Sequence, residues 1–440
     1  MRRFHLQPGG ALRGELRVPG DKSISHRAVM LSAIADGRSR ITGFLESADC
    51  LATLHAFQAM GVMFERDGDA LIVDGLGRDG LQGPRAPLDL GNSGTSMRLM
   101  SGLMAGQRFD SRLVGDASLS RRPMARVIEP LTLMGARIDG QEGGRAPLEI
   151  HGGQVLNGID YTPPVASAQI KSCVLLAGLY AQGTTQVTEP GISRDHTERM
   201  LSAFGVRIER QAHTLSIAGG QALQAGDVAV PADLSSAAFF MVGASIAESS
   251  AIMMPGVGIN PTRRGVIDIL SRMGADIRLH DERIQAGEPV ADIEVRSASL
   301  KGIDIGGDEV ELAIDEFPAI FIAAACAEGT TRLTGAAELR VKESDRIAVM
   351  ADGLSQLGVE VSVADDGLTI VGRGAGTVFG GGRIASHDDH RIAMAFAMAA
   401  LRAHAPIEID DCDFVDTSFP GFLALAAGAG LQIEASEVSS

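Results

Sequence analysis

The 440-residue chain contains no tryptophan, two tyrosines and four cysteines. With 54 glycines against 4% aromatic residues, the composition favours tight turns and close backbone approaches over aromatic stacking. The cysteines form no CxxC pair, and three of them lie inside apolar helix-like runs or at their ends. This usage predicts buried free thiols in a reducing, cytoplasmic compartment.

The sequence also lacks long apolar runs and an excess of positive charge. No stretch of about 20 uninterrupted apolar residues is present, so no membrane helix is expected. The first ten residues have no apolar core of the kind that a signal peptide carries. A formal net charge of −16 argues against nucleic acid as the main partner, because phosphate binding depends on lysine and arginine. Local clusters of basic residues are therefore the more informative.

A pattern repeated six times dominates the chain. In each copy a helix-like run ends in a hinge of the form Leu-x-x-x-Gly-x-x-Ile, and a strand-like stretch follows. Successive hinge glycines are 69 to 84 residues apart, which is too long for a solenoid repeat and long enough for a small α/β subdomain. The hinge glycines are Gly61, Gly135, Gly205, Gly274, Gly358 and, in a looser copy, Gly430.

Each copy contains a further helix upstream of its hinge. Four of these helices are predicted to stop at a glycine, as suits a helix C-cap, and a strand-like stretch follows each helix. The apolar periodicity therefore predicts β-α-β-α-β-β units, and the length allows two domains of about 200 residues. The predicted helices are His26–Gly37, Ser96–Gly106, Gln169–Gly183, Leu234–Ala247, Glu316–Gly329 and His390–Ala403.

Polar and charged residues concentrate at the starts of these six helices. If the units share a fold, all six N-termini can point to one region, and a helix N-terminus attracts anions through its unpaired N–H groups and its dipole. The segments concerned are Pro19–Arg27, Gly91–Arg98, Ser167–Ser172, Asp233–Ser236, Asp315–Pro318 and His387–Arg391.

The second helices of the units begin with still more charge, as in Arg121–Pro123, Arg194–Arg199 and Arg340–Arg346. The spacing of Lys342 and Arg346 predicts that they share one helix face. Such clusters could bind two or more phosphate or carboxylate groups and would still contain acidic side chains. This combination suits a reaction between two small anions.

Each of these segments has an ordinary interpretation when it is taken alone. A serine or aspartate at a helix start is usually a cap, and a run such as Lys342–Arg346 is usually a solvated face. The Asn92–Thr95 loop is not a nucleotide-binding P-loop. His390 beside two aspartates is a weak metal-site pattern, so no metal and no cofactor are expected. The equivalent positions of all the segments in the repeat favour a shared function.

Several long motifs, in the same order along the whole chain, closely resemble those of the 5-enolpyruvylshikimate-3-phosphate (EPSP) synthase family. The class II branch is indicated by Gly20–Ser23, Ser167–Lys171, Arg194–Arg199 and Asn260–Arg263. The motifs that carry the family resemblance are Gly20–Arg27, Gly91–Thr95, Gly115–Pro123, Arg340–Arg346 and Asp388–Arg391.

The resemblance implies an α/β fold, namely an inside-out α/β barrel of two domains with three βαβαββ units each. The N-terminal strand would join the C-terminal-type domain, which gives residues 1–20 and 232–440 to that domain and residues 21–231 to the N-terminal-type domain. The active site is expected in the cleft between the domains. A monomer is expected, with no membrane or nucleic-acid partner.

The reaction implied is transfer of the enolpyruvyl group of phosphoenolpyruvate to the 5-hydroxyl of shikimate 3-phosphate, in the pathway to chorismate and the aromatic amino acids. The family is also the target of glyphosate. By resemblance, shikimate 3-phosphate is held by Lys22, Ser23, Arg27, Ser167, Ala168, Gln169, Arg194, Asp315 and Lys342. Phosphoenolpyruvate is held by Lys22, Gly94, Arg122, Gln169, Arg346 and Arg391.

Three of these residues match positions with catalytic roles in the family. Asp315 corresponds to the proton acceptor for the 5-hydroxyl, and Lys22 and Glu343 correspond to groups that move protons at the methylene carbon. Class I members have a lysine before a Thr-Phe-Pro stretch near the C-terminus. Here the stretch is Asp416–Pro420, which contains no lysine, so the contact expected from Thr417 differs. The sequence also has Ala168 where class I has a second serine, and Glu338 where class I has asparagine.

Three alternatives differ in specific residues. The UDP-N-acetylglucosamine enolpyruvyl transferases have Asn after the first lysine and usually a reactive Cys before the Arg-Pro pair, whereas Lys22 is followed by Ser23 and Gly115–Pro123 has no Cys. RNA 3′-phosphate cyclase should show a basic surface, which the net charge opposes. A non-catalytic binding protein could lose Asp315 and Glu343, and both are present.

Overall fold

The computed structural model describes residues 2–437, and these fall into two compact units. The first domain consists of Gly20–Val230 and Ile284–Glu288. The second domain consists, within the described chain, of residues 2–19, Pro231–Arg283 and residues 289–437. Nothing in the sequence pattern predicted that residues 284–288 would belong to the first domain.

The helices of the described chain alternate with strands along most of the sequence. The α-helices are α1 Lys22–Ala33, α2 Ala48–Ala59, α3 Gly94–Ala105, α4 Ala117–Arg121, α5 Ala125–Leu133, α6 Ala168–Gly178, α7 His196–Ala203, α8 Leu234–Ile246, α9 Gly265–Arg272, α10 Asp308–Leu312, α11 Phe317–Cys326, α12 Arg346–Gln356, α13 His390–Ala399 and α14 Phe422–Ala429. Short 3-10 helices cover Ala337–Val341, Ala400–Arg402 and Cys412–Thr417.

The strands that precede and build the first domain are β1 Arg2–Leu6, β2 Arg13–Glu15, β3 Ala35–Thr42, β4 Met63–Asp67, β5 Ala70–Leu76, β6 Leu88–Asp89, β7 Ser111–Val114, β8 Arg137–Gln141, β9 Arg145–His151, β10 Asp160–Tyr161, β11 Thr184–Thr188, β12 Ile208–Gln211, β13 Thr214–Ala218, β14 Leu223–Gln224 and β15 Asp227–Ala229. Those that follow are β16 Ala251–Gly258, β17 Asp276–Gln285, β18 Glu288–Arg296, β19 Asp304–Ile305, β20 Glu328–Leu333, β21 Glu360–Ala364, β22 Gly367–Arg373, β23 Gly382–Ala385, β24 Ile407–Asp410 and β25 Ile433–Glu437.

The strands form six sheets, three in each domain, and all six have one plan. In the simplest copy the order is β10-β11-β13-β12, with β10 parallel to β11 and the other two pairs antiparallel. The sheets β6-β7-β9-β8 and β19-β20-β22-β21 repeat it. With their intervening helices these are the predicted βαβαββ units, so the α/β fold and its sixfold repeat are confirmed.

Three sheets are completed by strands that are distant in sequence. β14 and β15, at the end of the first domain's main segment, pair in parallel with β3 and so supply the first strand of the first unit. β2 pairs in parallel with β16 and does the same for the fourth unit. β1 lies between β24 and β25 and supplies the last strand of the sixth unit. Each domain is thereby closed by its own chain ends.

The first helix of each unit lies inside its domain. Every residue of α8 and of α11 is buried, and α8, α11 and α13 contact one another in the second domain. In the first domain α3 packs against α1 and α6. Helices α3 and α6 approach closely at Gly102, where an added Cβ would lie 2.2 Å from the carbonyl oxygen of Cys173. Sheets outside and helices inside give the inside-out arrangement.

The hinge glycines explain why each second helix ends where it does. All six have a positive φ, for example 94° at Gly61 and 85° at Gly358. A residue in the left-handed conformation ends a helix by turning the chain, and glycine does this without steric cost. The predicted hinges are therefore confirmed.

The predicted ends of the first helices are partly wrong. Gly37, Gly183 and Gly329 were expected to cap helices. Gly37 and Gly329 lie inside β3 and β20 with φ of 108° and 90°, and Gly183 lies beyond the end of α6 at Gly178. The helices end earlier, at Ala33 and Cys326, and α1 begins earlier, at Lys22, because Asp21 caps it. Among the described residues, no helix combines the length and apolar character that crossing a bilayer requires.

Candidate functional site

The first helix of the first domain begins with an ion pair. Asp21 Oδ1 accepts a hydrogen bond from the Ile24 N–H at 2.9 Å and caps α1. Lys22, the first helical residue, pairs through Nζ with Asp49 Oδ2 of α2. The Lys22 side chain remains 23% exposed, while Asp49 is buried. The ammonium group thus adds to the positive end of the helix dipole at a point that an anion can reach.

Arg27, one turn further along α1, is buried and joins three helices. Its Nε donates to Thr197 Oγ1 at 2.6 Å, and its Nη2 donates to Ser172 Oγ at 2.9 Å. Its Nη1 donates to the Ser23 carbonyl at 2.9 Å. Burial lowers the pKa of Arg27 to about 10, so the guanidinium stays charged at neutral pH.

His26 anchors a buried network of hydroxyl groups between α1, α2 and α3. Its Nδ1 lies 2.8 Å from Thr53 Oγ1 and 3.2 Å from Ser96 Oγ, and its Nε2 lies 3.3 Å from Ser93 Oγ. Burial, together with the charges of Lys22 and Arg27, lowers the pKa of His26 well below its ordinary value. The neutral ring fixes the start of α3 next to the start of α1.

Two guanidinium groups flank the first residue of α3. Ser93 caps this helix, and Gly94 follows. A methyl group built on Gly94 would lie 2.9 Å from Arg98 Nη1 and 3.2 Å from Arg122 Nη1. Arg122 also donates through Nη2 to Asn92 Oδ1 at 2.6 Å. The absence of a side chain at Gly94 therefore leaves room beside two cations.

Gln169, in the first turn of α6, is oriented by the same region. Its Oε1 accepts from Arg98 Nη1 at 2.6 Å, and its Nε2 donates to Thr95 Oγ1 at 2.9 Å. Ser167 is the N-cap of α6, with its Oγ 3.4 Å from the Ile170 N. Ala168 is the first helical residue and offers only its backbone. Gln169, Gly94 and Arg122 thus surround one place in the first domain.

In the second domain Asp315 lies at the start of α11 and faces two cations. Its Oδ1 is 3.6 Å from Lys342 Nζ and 3.5 Å from Arg346 Nη1. Its backbone oxygen accepts a hydrogen bond from Arg391 Nη1 at 3.0 Å. The side chain of Asp315 is 17% exposed. Two predicted cations, Lys342 and Arg346, therefore face one carboxylate, and Arg391 contacts the backbone of the same residue.

Arg346 is fully buried and is held by two further acids. Its Nε donates to Asp389 Oδ2 at 2.9 Å, and its Nη2 donates to Glu343 Oε2 at 2.7 Å. Burial by itself would lower the pKa of Arg346, but the charges of Asp389 and Glu343 outweigh it and raise that pKa. Arg346 Nη1 is buried and finds no hydrogen-bond acceptor among residues 2–437. That N–H group is suited to an anionic ligand.

Arg391 is fixed from three sides in the first turn of α13. Its backbone N–H donates to the capping residue Asp389 at 3.0 Å, and its Nη1 lies 3.8 Å from Glu316 Oε1. Glu316 is buried and accepts a hydrogen bond from Ser235 Oγ. The buried carboxylate holds the guanidinium beside Asp315.

The predicted shared helix face of Lys342 and Arg346 is wrong. Arg346 is the first residue of α12, which Asp345 caps. Lys342 ends a 3-10 helix in extended conformation, and Glu343 follows it outside any helix. The two cations meet because both face Asp315, and Glu343 reaches Arg346 from the preceding loop.

Arg98, Asp49 and Asp389 belong to the site although the sequence did not predict a role for them. Arg98 lay inside a quoted motif, and its spacing of four from Gly94 places both on one face of α3. Asp389 also lay in a motif, but its pairing with Arg346 joins positions 43 residues apart. Asp49 had no signal beyond its position next to the cap of α2.

Thr417 and Ala168, whose residue types depart from the class I pattern, make contacts within their own segments. Thr417 Oγ1 donates to the Phe414 carbonyl at 2.6 Å, which uses the hydroxyl inside its own 3-10 helix. The Ala168 carbonyl accepts from Ser172 Oγ at 2.6 Å. Within the described part of the chain, no group of three or more His, Cys, Asp and Glu side chains is arranged to hold a metal ion.

Each domain therefore presents cations beside carboxylates at helix N-termini. The first-domain cluster consists of Lys22, Arg27, Gly94, Arg98, Arg122 and Gln169, and the second-domain cluster consists of Asp315, Lys342, Glu343, Arg346 and Arg391. These groups can bind phosphate and carboxylate anions and can accept or donate a proton.

The same fold of repeated βαβαββ units is found in an enolpyruvyl transferase. The enolpyruvyl transferase NikO from Streptomyces tendae superimposes with a TM-score of 0.80 over 100% of this chain and 99% of that chain. Only 18% of the residues are identical, so this likeness shows the fold alone.

Closer relatives narrow the class to one family. The sequence model of the EPSP synthase (3-phosphoshikimate 1-carboxyvinyltransferase) family matches residues 6–425. The 3-phosphoshikimate 1-carboxyvinyltransferase of Alkalilimnicola ehrlichii is 63% identical over 431 residues, which cover 98% of this chain and 96% of that protein. An EPSP synthase structure from Acinetobacter baumannii has a TM-score of 0.90 and 54% identity, covering 99% of this chain and 100% of that one. The chain belongs to the EPSP synthase family.

Proposed function

We propose that the two charged clusters serve a single reaction, the formation of EPSP. The chain transfers the enolpyruvyl group of phosphoenolpyruvate to the 5-hydroxyl of shikimate 3-phosphate and releases phosphate. This is a step in the biosynthesis of chorismate and the aromatic amino acids. Relatives that are named for this activity and match nearly the full length support the proposal.

The observation that carries the proposal is the setting of Asp315. A partly exposed carboxylate lies within 3.6 Å of both Lys342 and Arg346, and Arg391 donates to its backbone. A base for a hydroxyl group and donors for anions are thus in one place. Two cations that face one carboxylate, with a third bonded to the backbone of the same residue, exceed what a simple structural ion pair requires.

Shikimate 3-phosphate carries a phosphate, a carboxylate and hydroxyl groups, and each finds a suitable partner type. Arg27 supplies a buried cation, and α1 and α6 supply helix N-termini. Gln169 can both donate and accept hydrogen bonds. We propose as its binding residues Lys22, Ser23, Arg27, Ser167, Ala168, Gln169, Arg194, Asp315 and Lys342.

Phosphoenolpyruvate is a small, highly charged anion, and its proposed residues are correspondingly basic. The buried Nη1 of Arg346, which makes no hydrogen bond within residues 2–437, is a donor in a dry environment, where an interaction with phosphate or carboxylate is stronger than in water. The space beside Gly94 lies between two guanidinium groups. The proposed binding residues are Lys22, Gly94, Arg122, Gln169, Arg346 and Arg391.

The chemistry requires one base and one acid, which exchange roles between two steps. In the addition step the 5-oxygen bonds to C2 of phosphoenolpyruvate, Asp315 takes the hydroxyl proton, and C3 gains a proton. In the elimination step C3 loses a proton, and the bond from C2 to the phosphate oxygen breaks to release phosphate. We assign the proton transfers at C3 to Glu343 and Lys22.

A phosphate-release assay tests the function directly. The purified chain should release phosphate from phosphoenolpyruvate when shikimate 3-phosphate is present. It should not do so with UDP-N-acetylglucosamine, the acceptor of the rival transferase. Phosphate release from phosphoenolpyruvate with the nucleotide sugar, but not with shikimate 3-phosphate, would assign the chain to that rival activity.

Because the proposed residues come from both domains, we also propose that the reaction takes place in the cleft between them. The proposed division is residues 1–20 and 232–440 against residues 21–231. Anions that bind both clusters should draw the domains together. Small-angle scattering should then show a smaller radius of gyration with shikimate 3-phosphate and glyphosate, and an unchanged value would contradict closure.

Three further properties belong to the same proposal. We assign the chain to class II from its motifs and from Ala168. We expect a monomer, which light scattering on a size-exclusion column will test. We also expect a cytoplasmic location, because the four cysteines, Cys50, Cys173, Cys326 and Cys412, are buried free thiols.

A further inference from the structure

The chain has only four lysines among its 39 basic residues, Lys22, Lys171, Lys301 and Lys342. Two of them, Lys22 and Lys342, belong to the clusters described above. Lys171 is completely buried in α6, two residues beyond Gln169. A fully buried lysine is rare and requires charged partners. Its position next to the proposed substrate residues makes its partners informative.

The partners of Lys171 lie at both ends of one loop. The loop joins β11 to α7 and covers residues 189–195, so it contains Arg194. Lys171 Nζ is 2.8 Å from Glu189 Oε1, at the start of the loop, and 3.4 Å from the carbonyl oxygen of Ser193. Glu189 Oε1 also accepts from Ser193 Oγ at 2.5 Å. The ammonium group therefore contacts the residue immediately before Arg194.

The same ammonium group holds the helix that follows the loop. Lys171 Nζ is 2.7 Å from Glu198 Oε1, in the first turn of α7. Beside this pair, Ser172 Oγ is 2.6 Å from Thr197 Oγ1. Two consecutive residues of α6 thus contact two consecutive residues of α7. Helix α7 directly follows the loop that carries Arg194.

The charges of this network balance. Lys171 and Arg210 face Glu189 and Glu198, because Arg210 Nη2 donates to Glu189 Oε2 at 3.1 Å. Burial raises the pKa of Glu198, and Lys171 opposes that rise. A buried ionic network of this kind is seldom the most stable filling for a core, since apolar residues of similar size often do as well. What it provides is a fixed geometry.

We propose that Lys171 is a positioning residue that holds Arg194 in register with Ser167, Ala168 and Gln169, and that it thereby sets the affinity for shikimate 3-phosphate. The proposal rests on the proposed function, which assigns those four residues to that substrate. Lys171 touches no substrate itself. It acts by fixing the loop from its first residue to the helix that follows.

The test uses the charge-balanced double variant Lys171→Met with Glu198→Gln, which removes the tie without leaving an unpaired buried charge. Its KM for shikimate 3-phosphate should rise about tenfold or more, because a small misplacement of a binding group is costly. Its KM for phosphoenolpyruvate should stay within about twofold of the wild-type value, since Arg194 is not assigned to that substrate. The control is Lys301→Met, which removes an exposed lysine of the second domain and should change neither constant.

A second comparison separates positioning from general damage. Adding Arg194→Gln to the double variant should weaken shikimate 3-phosphate binding no further than Arg194→Gln alone, because both changes remove the same interaction. Equal losses for both substrates, or additive losses with Arg194→Gln, would overturn the proposal.

If the double variant does not fold, Glu198→Gln alone decides the matter. It keeps Lys171 paired with Glu189 and loosens only the tie to α7, so its KM for shikimate 3-phosphate should rise about threefold. An unchanged value would count against the proposal. Failure of the wild type to release phosphate would instead count against the proposed function.

Discussion

Arg346 donates from Nε to Asp389 Oδ2 at 2.9 Å, and neither side chain is exposed to solvent. The two residues begin different helices, α12 and α13, and Asp389 also caps the second of these. The pair therefore fixes two helix N-termini of the second domain with respect to each other. It also leaves Arg346 Nη1 directed away from Asp389, on the side of Asp315.

Asp389→Asn should destabilise the second domain at neutral pH. The change keeps the size of the side chain but leaves the Arg346 charge without its main partner. Breaking a buried pair in this way typically costs about 3 kcal/mol. Urea unfolding of the second domain should therefore show a lower midpoint. Asp352→Asn, at an exposed position of α12, is the control and should change little.

The same variant should show a defined pH dependence. Arg346 lowers the pKa of Asp389 against the opposing effect of burial. The stability that Asp389 contributes is therefore fully present above its unfolded-state pKa of about 3.9, and it is lost as the pH falls through the lower folded-state pKa. The difference in the free energy of unfolding between wild type and variant should be constant from about pH 7 to about pH 5 and should shrink below about pH 4. A gap that widens in acid would contradict this account.

Asp315→Asn and Glu343→Gln should impair turnover more than binding. Both changes preserve size, but they replace one acceptor oxygen by an amide donor and remove proton exchange at neutral pH. Loss of a general acid or base typically lowers kcat by about 10² to 10⁴. The KM values should change by a few-fold at most, because the Asp315 backbone oxygen still accepts from Arg391. Steady-state kinetics of phosphate release measure both constants.

Lys342→Met is the matched comparison for these two variants. It removes a cation 3.6 Å from Asp315 but no group to which we assign a proton transfer. Its main effect should be a raised KM for shikimate 3-phosphate. Near-normal turnover by Asp315→Asn would show that this residue is not the base.

The repeat explains how much of this fold could be predicted from the sequence. Hinge glycines recur because each second helix must be ended by a left-handed residue, and this need is local. Closure of the sheets is not local: β1 pairs with β24 about 400 positions away, and Phe4 lies opposite Ile409. Short strands such as β14 also have too few residues to show any periodicity.

The candidate site likewise has features that could be predicted from local sequence and features that depend on tertiary packing. Cations at helix starts could be predicted, because capping residues and charge mark those positions in the sequence. The acids that hold the cations could not, since Asp49 and Asp389 reach Lys22 and Arg346 only through tertiary packing. The prediction for Lys342 failed because helical spacing was assumed for a segment that Asp345 interrupts as a cap.

His26→Asn should reduce the loss of folding stability that occurs as the pH falls. Burial, Lys22 and Arg27 lower the pKa of His26 in the folded state, so the unfolded chain binds a proton that the folded chain excludes. Stability should therefore fall as the pH drops below about 6.5, with a slope of up to about 1.4 kcal/mol per pH unit from this residue.

Unfolding midpoints in urea at about pH 7, 6 and 5 measure that slope. His26→Asn removes the titrating group, so its slope should be smaller than that of the wild type, although its stability at neutral pH should also be lower. The control is His55→Asn, an exposed histidine of α2 near Thr53. If His55→Asn flattened the profile as much as His26→Asn, burial of His26 would not be the cause.

Gly94→Ala should discriminate between glyphosate and phosphoenolpyruvate. Gly94 is the first residue of α3, so alanine fits the backbone. The atoms nearest to the new methyl group are the ends of Arg98 and Arg122, at 2.9 and 3.2 Å. Both guanidinium groups can move by a few tenths of an ångström, but the space beside them becomes shorter. Glyphosate is longer than phosphoenolpyruvate and should therefore lose more binding affinity.

We expect the glyphosate inhibition constant to rise about tenfold or more, within the range that one methylene group can produce in a fitted pocket. The KM for phosphoenolpyruvate should rise by a smaller factor, and the KM for shikimate 3-phosphate, to which Gly94 is not assigned, should stay nearly unchanged. All three constants are to be measured on one preparation. Equal factors for glyphosate and phosphoenolpyruvate would refute the steric explanation, because a methyl group that merely displaced the two arginines would weaken both anions alike.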